Sequence, residues 1–249
     1  MNFTILRFDC IDSTNSEALN QAKRGADEGL CVVARQQTAG RGRHGRTWIS
    51  PKDAGLYFSI VLRPKIETRF LPLITLMTAV AVYDALEEFY KIDCDIKWAN
   101  DVLVNGKKIC GILAETIDTS KGLAVVAGVG INLTSSNFPE ELNEIATSIE
   151  DETAQIPNAE DLLQAVTITF SRFYKVLREE HGAEKIRQEW TKRSSYASGK
   201  TVSVTLENET FTGTTRGIEE TGALRVELET GEIRTVYAGD VENLRPVRN

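Results

Sequence analysis

The chain has 249 residues, 41% of them hydrophobic, and a formal net charge of −7. That much apolar material builds a sizeable core and excludes a disordered chain, while the acidic balance excludes a general nucleic-acid binder, whose phosphate contacts need a broad basic surface. No run of about 18 or more apolar residues occurs, "MNFTILRFDC" lacks the basic start and apolar core of a signal peptide, and four cysteines without a C-x-x-C pair beside two histidines argue against a disulfide framework or a zinc site. The expectation is a cytoplasmic protein with buried thiols at Cys10, Cys31, Cys94 and Cys110.

"FTILRFDC" alternates as a strand, and "STNSEALNQAKRG" follows as a helix, with Thr14 and Glu17 at capping-box spacing and Gly25 as its stop. The β-branched run "LCVVARQQ" predicts a buried strand that leads into "QQTAGRGRHGRTW", a loop that sets Arg41, Arg43 and Arg46 among Gly40, Gly42 and Gly45. "GLYFSIVLRP" is the next strand, and "LPLITLMTAVAVYDALEEF" is too apolar for a surface helix and belongs in the core. "DIKWANDVLV" and "KKICGILAE", joined by Asn105-Gly106, predict a long hairpin with a type I′ turn. "LAVVAGVGINLT" supplies another strand. Residues 158–193 read as helical, with apolar residues at Leu162, Val166, Phe170, Phe173 and Leu177. From there short alternating strands broken by polar turns suggest a small antiparallel barrel, so the expected division is 1–195 and 196–249.

Four stretches are candidates for chemistry. In the loop, guanidinium forks suit carboxylate or phosphate oxygens, and glycines let backbone approach a ligand; the competing reading is a solvated basic loop or an RNA-binding segment of arginine and glycine type. In "KWAND", Asn100 and Asp101 are either ordinary turn residues or groups that orient those arginines and help hold a magnesium ion on a nucleotide phosphate. Lys108 is either a solvated edge residue or a point charge for a carboxylate, a phosphate or the charge developing in acyl transfer; Gly111 would then let a ligand lie against bare backbone. Ser13, Thr14 and Asn15 stand at a helix start, where capping and ligand binding use the same hydroxyls and N–H groups. No Ser-His-Asp triad, Walker loop, dinucleotide fingerprint or zinc signature is present.

Taken in order, "STNSEA", "QQTAGRGRHGRTW", "KWANDVLVNGKKICGILAE" and "GVGINL" resemble the motif series of the biotin–protein ligases, and "GTTRGIEETGAL" resembles part of that family's small C-terminal barrel. The resemblance implies an α+β fold: a mixed, largely antiparallel central sheet flanked by helices, of the class II synthetase-like biotin/lipoate ligase type, plus an SH3-like β-barrel. It implies a ligase that converts biotin and MgATP to biotinyl-5′-AMP and transfers biotin to a lysine of the biotin carboxyl carrier protein of acetyl-CoA carboxylase or a related carboxylase. By the same mapping Ser13, Thr14, Asn15, Gln37, Arg41, Gly42, Arg43, Lys108 and Gly111 are biotin contacts. Gly40, Arg43, Arg46, Trp48, Asn100, Asp101 and Asn132 contact ATP or the adenylate, and Lys108 and Arg43 are the catalytic cations. Magnesium comes with ATP, near Asp101, without a dedicated protein site.

Two departures from the family pattern matter. Ala99 replaces the usual proline of "KWAND", which relaxes the backbone there, and the first strand begins near residue 3, so the helix-turn-helix repressor domain of some members is not expected, nor is DNA or membrane binding. A homodimer through the central sheet is expected by analogy. The rival readings are a lipoate–protein ligase and a non-catalytic biotin or nucleotide binder, the latter having no need of Arg43 and Lys108.

Overall fold

The computed structural model, which describes residues 1–136, 138–155 and 157–243, begins with β1 (Thr4–Phe8) and α1 (Thr14–Lys23). Ser13, not Thr14, caps α1: its Oγ accepts the Ser16 N–H at 3.4 Å. Thr14 instead donates its N–H and hydroxyl to Gln37 Oε1, at 2.8 and 3.1 Å, which corrects the expected capping box by one residue. Gly25, at φ +90°, ends the helix as expected. Crossing back over α1, the chain enters β2 (Leu30–Ala34), which pairs parallel with β1; β3 (Gly55–Leu62) then runs antiparallel to β2, with all eight residues buried.

The apolar stretch becomes α2 (Leu73–Tyr90). By length and composition Thr68–Tyr90 is long and apolar enough to cross a membrane, but 67% of its apolar window is buried inside the protein, as expected of a core helix. It has no side-chain N-cap, so packing holds it: full burial of residues such as Leu73, Ile74, Met77 and Leu86 contributes about 2 kcal/mol each.

Where one long hairpin arm was expected, the chain makes two strands: β4 (Asp95–Lys97), a turn at Trp98–Asn100, and β5 (Asp101–Val104), antiparallel to β4. The Trp98–Ala99 peptide is cis. Asn105 (φ 51°) and Gly106 (φ 81°) form the expected left-handed turn into β6 (Lys107–Thr119), followed by β7 (Gly122–Asn132). The sheet order is β1-β2-β3-β7-β6-β5-β4, mixed by virtue of the β1–β2 pair and otherwise antiparallel.

A short α3 (Ile149–Thr153) precedes α4 (Ala159–Leu177), capped by Asn158 Oδ1, and α5 (Gly182–Arg193). The expected helical region is thus two helices, broken where His181 adopts a left-handed φ of 57°. Leu162, Val166, Phe170, Phe173 and Leu177 are buried, as their spacing requires. Asp84, a nearly buried carboxylate on α2, ties the helices together through Arg172 of α4 (2.6 Å) and Arg193 of α5 (2.5 Å). Since side chains alternate along β3, Val61 faces α1 and shares an apolar cluster with Ala18 and Ala22, while Phe58, Ile60 and Leu62 join the main core on the other face, where α4 packs against β3. Helices therefore cover both faces of the sheet.

The last strands are β8 (Ser198–Thr205), β9 (Thr210–Ile218), β10 (Leu224–Glu227), β11 (Ile233–Val236) and β12 (Asp240–Asn243), antiparallel in the order β11-β10-β9-β8-β12. This small sheet packs on the large one: Trp98 Nε1 donates to Gly222 O at 2.9 Å, and Val202, Leu224 and Val226 join the main apolar core. Residues 244–249 of the expected C-terminal unit lie outside the described residues. Cys31, Cys94 and Cys110 are buried, and burial pushes the first two thiols up to about 12 and Cys110 in the same direction; Cys10 is exposed, contrary to expectation, because it follows the edge strand β1.

Candidate functional site

Between β2 and β3 the glycine and arginine stretch folds back on itself. Gln37 N–H donates to Ser50 O (3.2 Å), Trp48 N–H to Gly40 O (2.9 Å) and Gly42 N–H to Arg46 O (2.7 Å), closing an irregular hairpin whose tip is Arg43–Gly45. His44 stands at that tip, exposed. The hairpin leans over a cleft of about 170 Å³, whose walls come from the N-terminus of α1, the β4–β6 meander, the middle of β7 and, from the small sheet, β12. Of the residues singled out from sequence, Ser13, Thr14, Asn15, Gln37, Arg41, Gly42, Arg43, Arg46, Trp48, Asn100, Asp101, Lys108 and Gly111 line it. Two do not. Gly40 is buried at the hairpin base, where a Cβ would lie 2.3 Å from Trp48 O, and Asn132 uses its amide to brace Thr147 O (2.9 Å) and Lys108 O (3.3 Å).

On one side the cleft is a polar network fixed by α1. Asn15 Nδ2 donates to Leu113 O (3.2 Å) and Glu115 Oε2 (2.9 Å), and Asn15 Oδ1 accepts from Ser59 Oγ at 2.6 Å. Gly128 permits this: a Cβ there would stand 1.8 Å from Asn15 Oδ1. Gln37 is similarly used up, its Oε1 by Thr14 and its Nε2 by Ser50 Oγ (2.8 Å). These side chains are pre-set by partners other than a ligand.

Toward the hairpin the cleft is cationic. Arg41 forks onto Glu115, at 2.8 and 3.0 Å; Arg46 forks onto Asp240 of β12; Lys108 Nζ lies 2.6 Å from Asp101 Oδ1. Arg43 differs from the other two arginines. Among the described residues it is paired with a neutral group, donating from Nη1 to Asn100 Oδ1 at 3.0 Å, and burial pulls its pKa below the ordinary arginine value against the opposing pull of Asp240 and Asp101. Asn100 is held by its own donation to Ile112 O at 3.0 Å. A half-desolvated guanidinium without a carboxylate is the natural seat of an incoming anion.

Gly111 and Gly130 are register partners on β6 and β7 and leave a window of bare backbone. The expected occupant of that window is a ligand; in the structure it is covered by the indole of Trp48, since Cβ atoms on Gly111 and Gly130 would lie 2.8 and 2.4 Å from the ring. Lys108 Nζ is 5.3 Å from the indole centroid, and Trp48 Nε1 is buried without a hydrogen-bond partner among the described residues. Four charged residues escaped sequence reasoning: Glu115, which holds the lining residues Arg41 and Asn15, and Lys97 of the cleft itself, both inside quoted motifs without an assigned role, and Asp240 and Glu242, which the fold brings to the cleft from the far end of the chain. Only the motif position of the first pair was a usable signal.

The chain matches the model of the biotin/lipoate A/B protein ligase family over residues 7–132 and that of the biotin protein ligase C-terminal domain over residues 197–242. It is 38% identical over 239 residues to the bifunctional ligase/repressor BirA of Bacillus spizizenii, covering 94% of this chain and 72% of that protein. It is 35% identical over 224 residues to the biotin–[acetyl-CoA-carboxylase] ligase of Paracoccus denitrificans, covering 86% and 90%. In structure it is similar to the biotin protein ligase of Aquifex aeolicus in complex with biotin and ATP, with a TM-score of 0.82 at 31% identity, covering 97% of this chain and 99% of that one.

Proposed function

Because this chain belongs to the biotin–protein ligase family, we propose that its cleft joins biotin to ATP and passes the biotinyl group to a lysine of the biotin carboxyl carrier protein of acetyl-CoA carboxylase or a related carboxylase. It is an ATP-dependent ligase whose substrates are biotin and ATP. The observation that carries the mechanism is Arg43: a partly desolvated cation, paired with a neutral amide, in the same cleft as Lys108.

In the first step a biotin carboxylate oxygen attacks the α-phosphorus of ATP, the bond to the bridging oxygen breaks, and pyrophosphate leaves. Two anions must meet, and Lys108 and Arg43 offset that repulsion and stabilise the charge of the transition state. In the second step the carrier's lysine, as the neutral amine, attacks the biotinyl carbonyl; the C–N bond forms, the bond from the carbonyl carbon to the AMP oxygen breaks, and the amine's excess proton passes to AMP or solvent. The polar wall of Ser13, Thr14, Asn15 and Gln37, with Arg41, Gly42 and Gly111, takes the biotin ring system and chain; Arg46, Trp48 and Asn100 take the nucleotide. Since Gly40 and Asn132 lie off the cleft wall, their part is to hold the hairpin and the Lys108 strand in place. Mg²⁺ would come with ATP, held mainly by its phosphates, with the hard oxygens of Asp101 in the same cleft beside them. When bound, Mg²⁺ neutralises phosphate charge. We take residues 1–195 as the catalytic unit and 196–249 as a second unit that completes the cleft through Asp240.

The deciding assay is exchange of labelled pyrophosphate into ATP with biotin or lipoate. Biotin-dependent exchange is expected; exchange with lipoate alone would make the chain a lipoate ligase, and exchange with neither would make it a binder. Gly128→Ala should raise KM for biotin at least about tenfold with little change in KM for ATP, because its Cβ displaces Asn15 Oδ1 and the hydrogen bonds set around it. An unaltered KM in a folded variant would remove Asn15 from the biotin wall.

A further inference from the structure

We propose that Glu115 is a positioning residue for biotin, the group that sets Arg41 of the hairpin and Asn15 of α1 at a fixed distance from each other across the cleft. The inference deepens the reading above and rests on it. Glu115 lies on β6, opposite Val126 of β7, with its side chain 23% exposed. One carboxylate meets both sides of the candidate biotin site: Oε1 accepts from Arg41 Nη2 at 2.8 Å, while Oε2 accepts from Arg41 Nη1 at 3.0 Å and from Asn15 Nδ2 at 2.9 Å. Three donors on two oxygens fix three things together.

The first is the orientation of the Asn15 amide. With Nδ2 turned to Glu115 and Leu113 O, Oδ1 is left beside Gly128 of the cleft wall, accepting from Ser59 Oγ, so the amide offers an acceptor on that side rather than a donor. A ring carrying N–H donors needs that polarity. The second is the position of Arg41, whose guanidinium plane is set by a bidentate fork and not by a flexible single contact. The third is the path of the hairpin, since Arg41 stands two residues before Arg43 and pairs across the hairpin with Thr47. Glu115 touches neither a reacting atom nor the nucleotide half of the cleft in this arrangement, so it acts through Arg41 and Asn15.

Electrostatics alone makes the opposite prediction, which gives the test its force. If Glu115 served only to neutralise Arg41, then Glu115→Gln would leave more positive charge near the cleft and bind the biotin carboxylate more tightly. Under the positioning role it binds biotin more weakly. A glutamine amide cannot accept from all three donors: in one orientation its NH₂ confronts Arg41 Nη2, in the other both Arg41 Nη1 and Asn15 Nδ2.

The experiment measures biotin KM, ATP KM and kcat for pyrophosphate exchange in wild type, Glu115→Gln, Arg41→Ala and the double variant, with thermal melts for each. Wild type is measured first, so that absence of biotin-dependent exchange there rejects the ligase reading and leaves Glu115 out of the matter. With wild type active, Glu115→Gln is expected to raise biotin KM about tenfold, with ATP KM and kcat within about twofold. Loss of Glu115 should cost markedly less in the Arg41→Ala background than in wild type, because part of its effect passes through Arg41. A biotin KM that is unchanged or lower in Glu115→Gln, or an equal penalty in both backgrounds, overturns the proposal. If Glu115→Gln does not fold, Glu115→Asp carries the test: its carboxylate is set back by one methylene, an intermediate rise in biotin KM is expected, and wild-type KM overturns the proposal.

Discussion

Replacing Lys108 with alanine is expected to slow biotin-dependent adenylation by about 10²- to 10³-fold, the usual cost of removing one preorganised group that meets developing charge. The fold should survive, because the strand contacts of this residue are made by its backbone. Its N–H donates to Ile145 O at 2.8 Å, and its carbonyl accepts from Thr147 N–H at 3.0 Å and Asn132 Nδ2 at 3.3 Å. What alanine removes is the ammonium, 2.6 Å from Asp101 and 5.3 Å from the Trp48 ring. Asp101, with its side chain 16% exposed, then loses its cation, a penalty of about 1–3 kcal/mol that is separate from catalysis. The double variant Lys108→Ala/Asp101→Asn separates the two effects: melting temperature should return toward wild type while exchange stays low. Near-normal exchange in a folded single variant would take Lys108 out of the mechanism.

Arg43→Gly should leave the first step measurable and spoil the containment of its product. The guanidinium is the cleft arginine with a neutral partner, and the charge-assisted hydrogen bonds it would make to an adenylate phosphate are worth about 1.5–3 kcal/mol each, or about 10- to 100-fold in retention. A glycine between Gly42 and His44 also loosens the tip that has to close over the mixed anhydride. The released biotinyl-AMP acylates whichever exposed lysine it meets, so a bystander protein mixed with enzyme, biotin and ATP becomes biotinylated. Arg43→Lys, which keeps charge but not the fork, should fall between the two. If bystander labelling by Arg43→Gly matches wild type, the hairpin is not the lid of this site.

Much of this arrangement was legible in the sequence because it is local. Asn105-Gly106 specifies its own turn, the apolar spacing of residues 162–177 specifies a buried helix face, and the arginine and glycine alternation marks a loop that meets anions. The misreadings share a physical cause. The turn at Trp98–Asn100 holds neither glycine nor proline, and His181 breaks the last helices with a left-handed backbone that its residue type does not announce. Ser13 and Thr14 are both good capping residues, and the choice between them was made by Gln37, which the fold brings to Thr14. Glu115 and Asp240 are 74 and 194 residues from the arginines they hold, so no local pattern connects them. That Arg41 and Arg46 are already committed to carboxylates while Arg43 is not could be learned only once the chain was folded.

The indole over Gly111 and Gly130 alters the heat balance of anything that binds there. A ligand laid on those two glycines must first lift Trp48, so it exchanges one dry contact for another rather than expelling a full layer of water. The drop in heat capacity on binding should therefore fall short of what the ligand's own apolar area implies. Part of the favourable term comes instead from the displaced ring, whose Nε1, buried and unpaired among the described residues, gains access to a hydrogen-bond partner as it leaves.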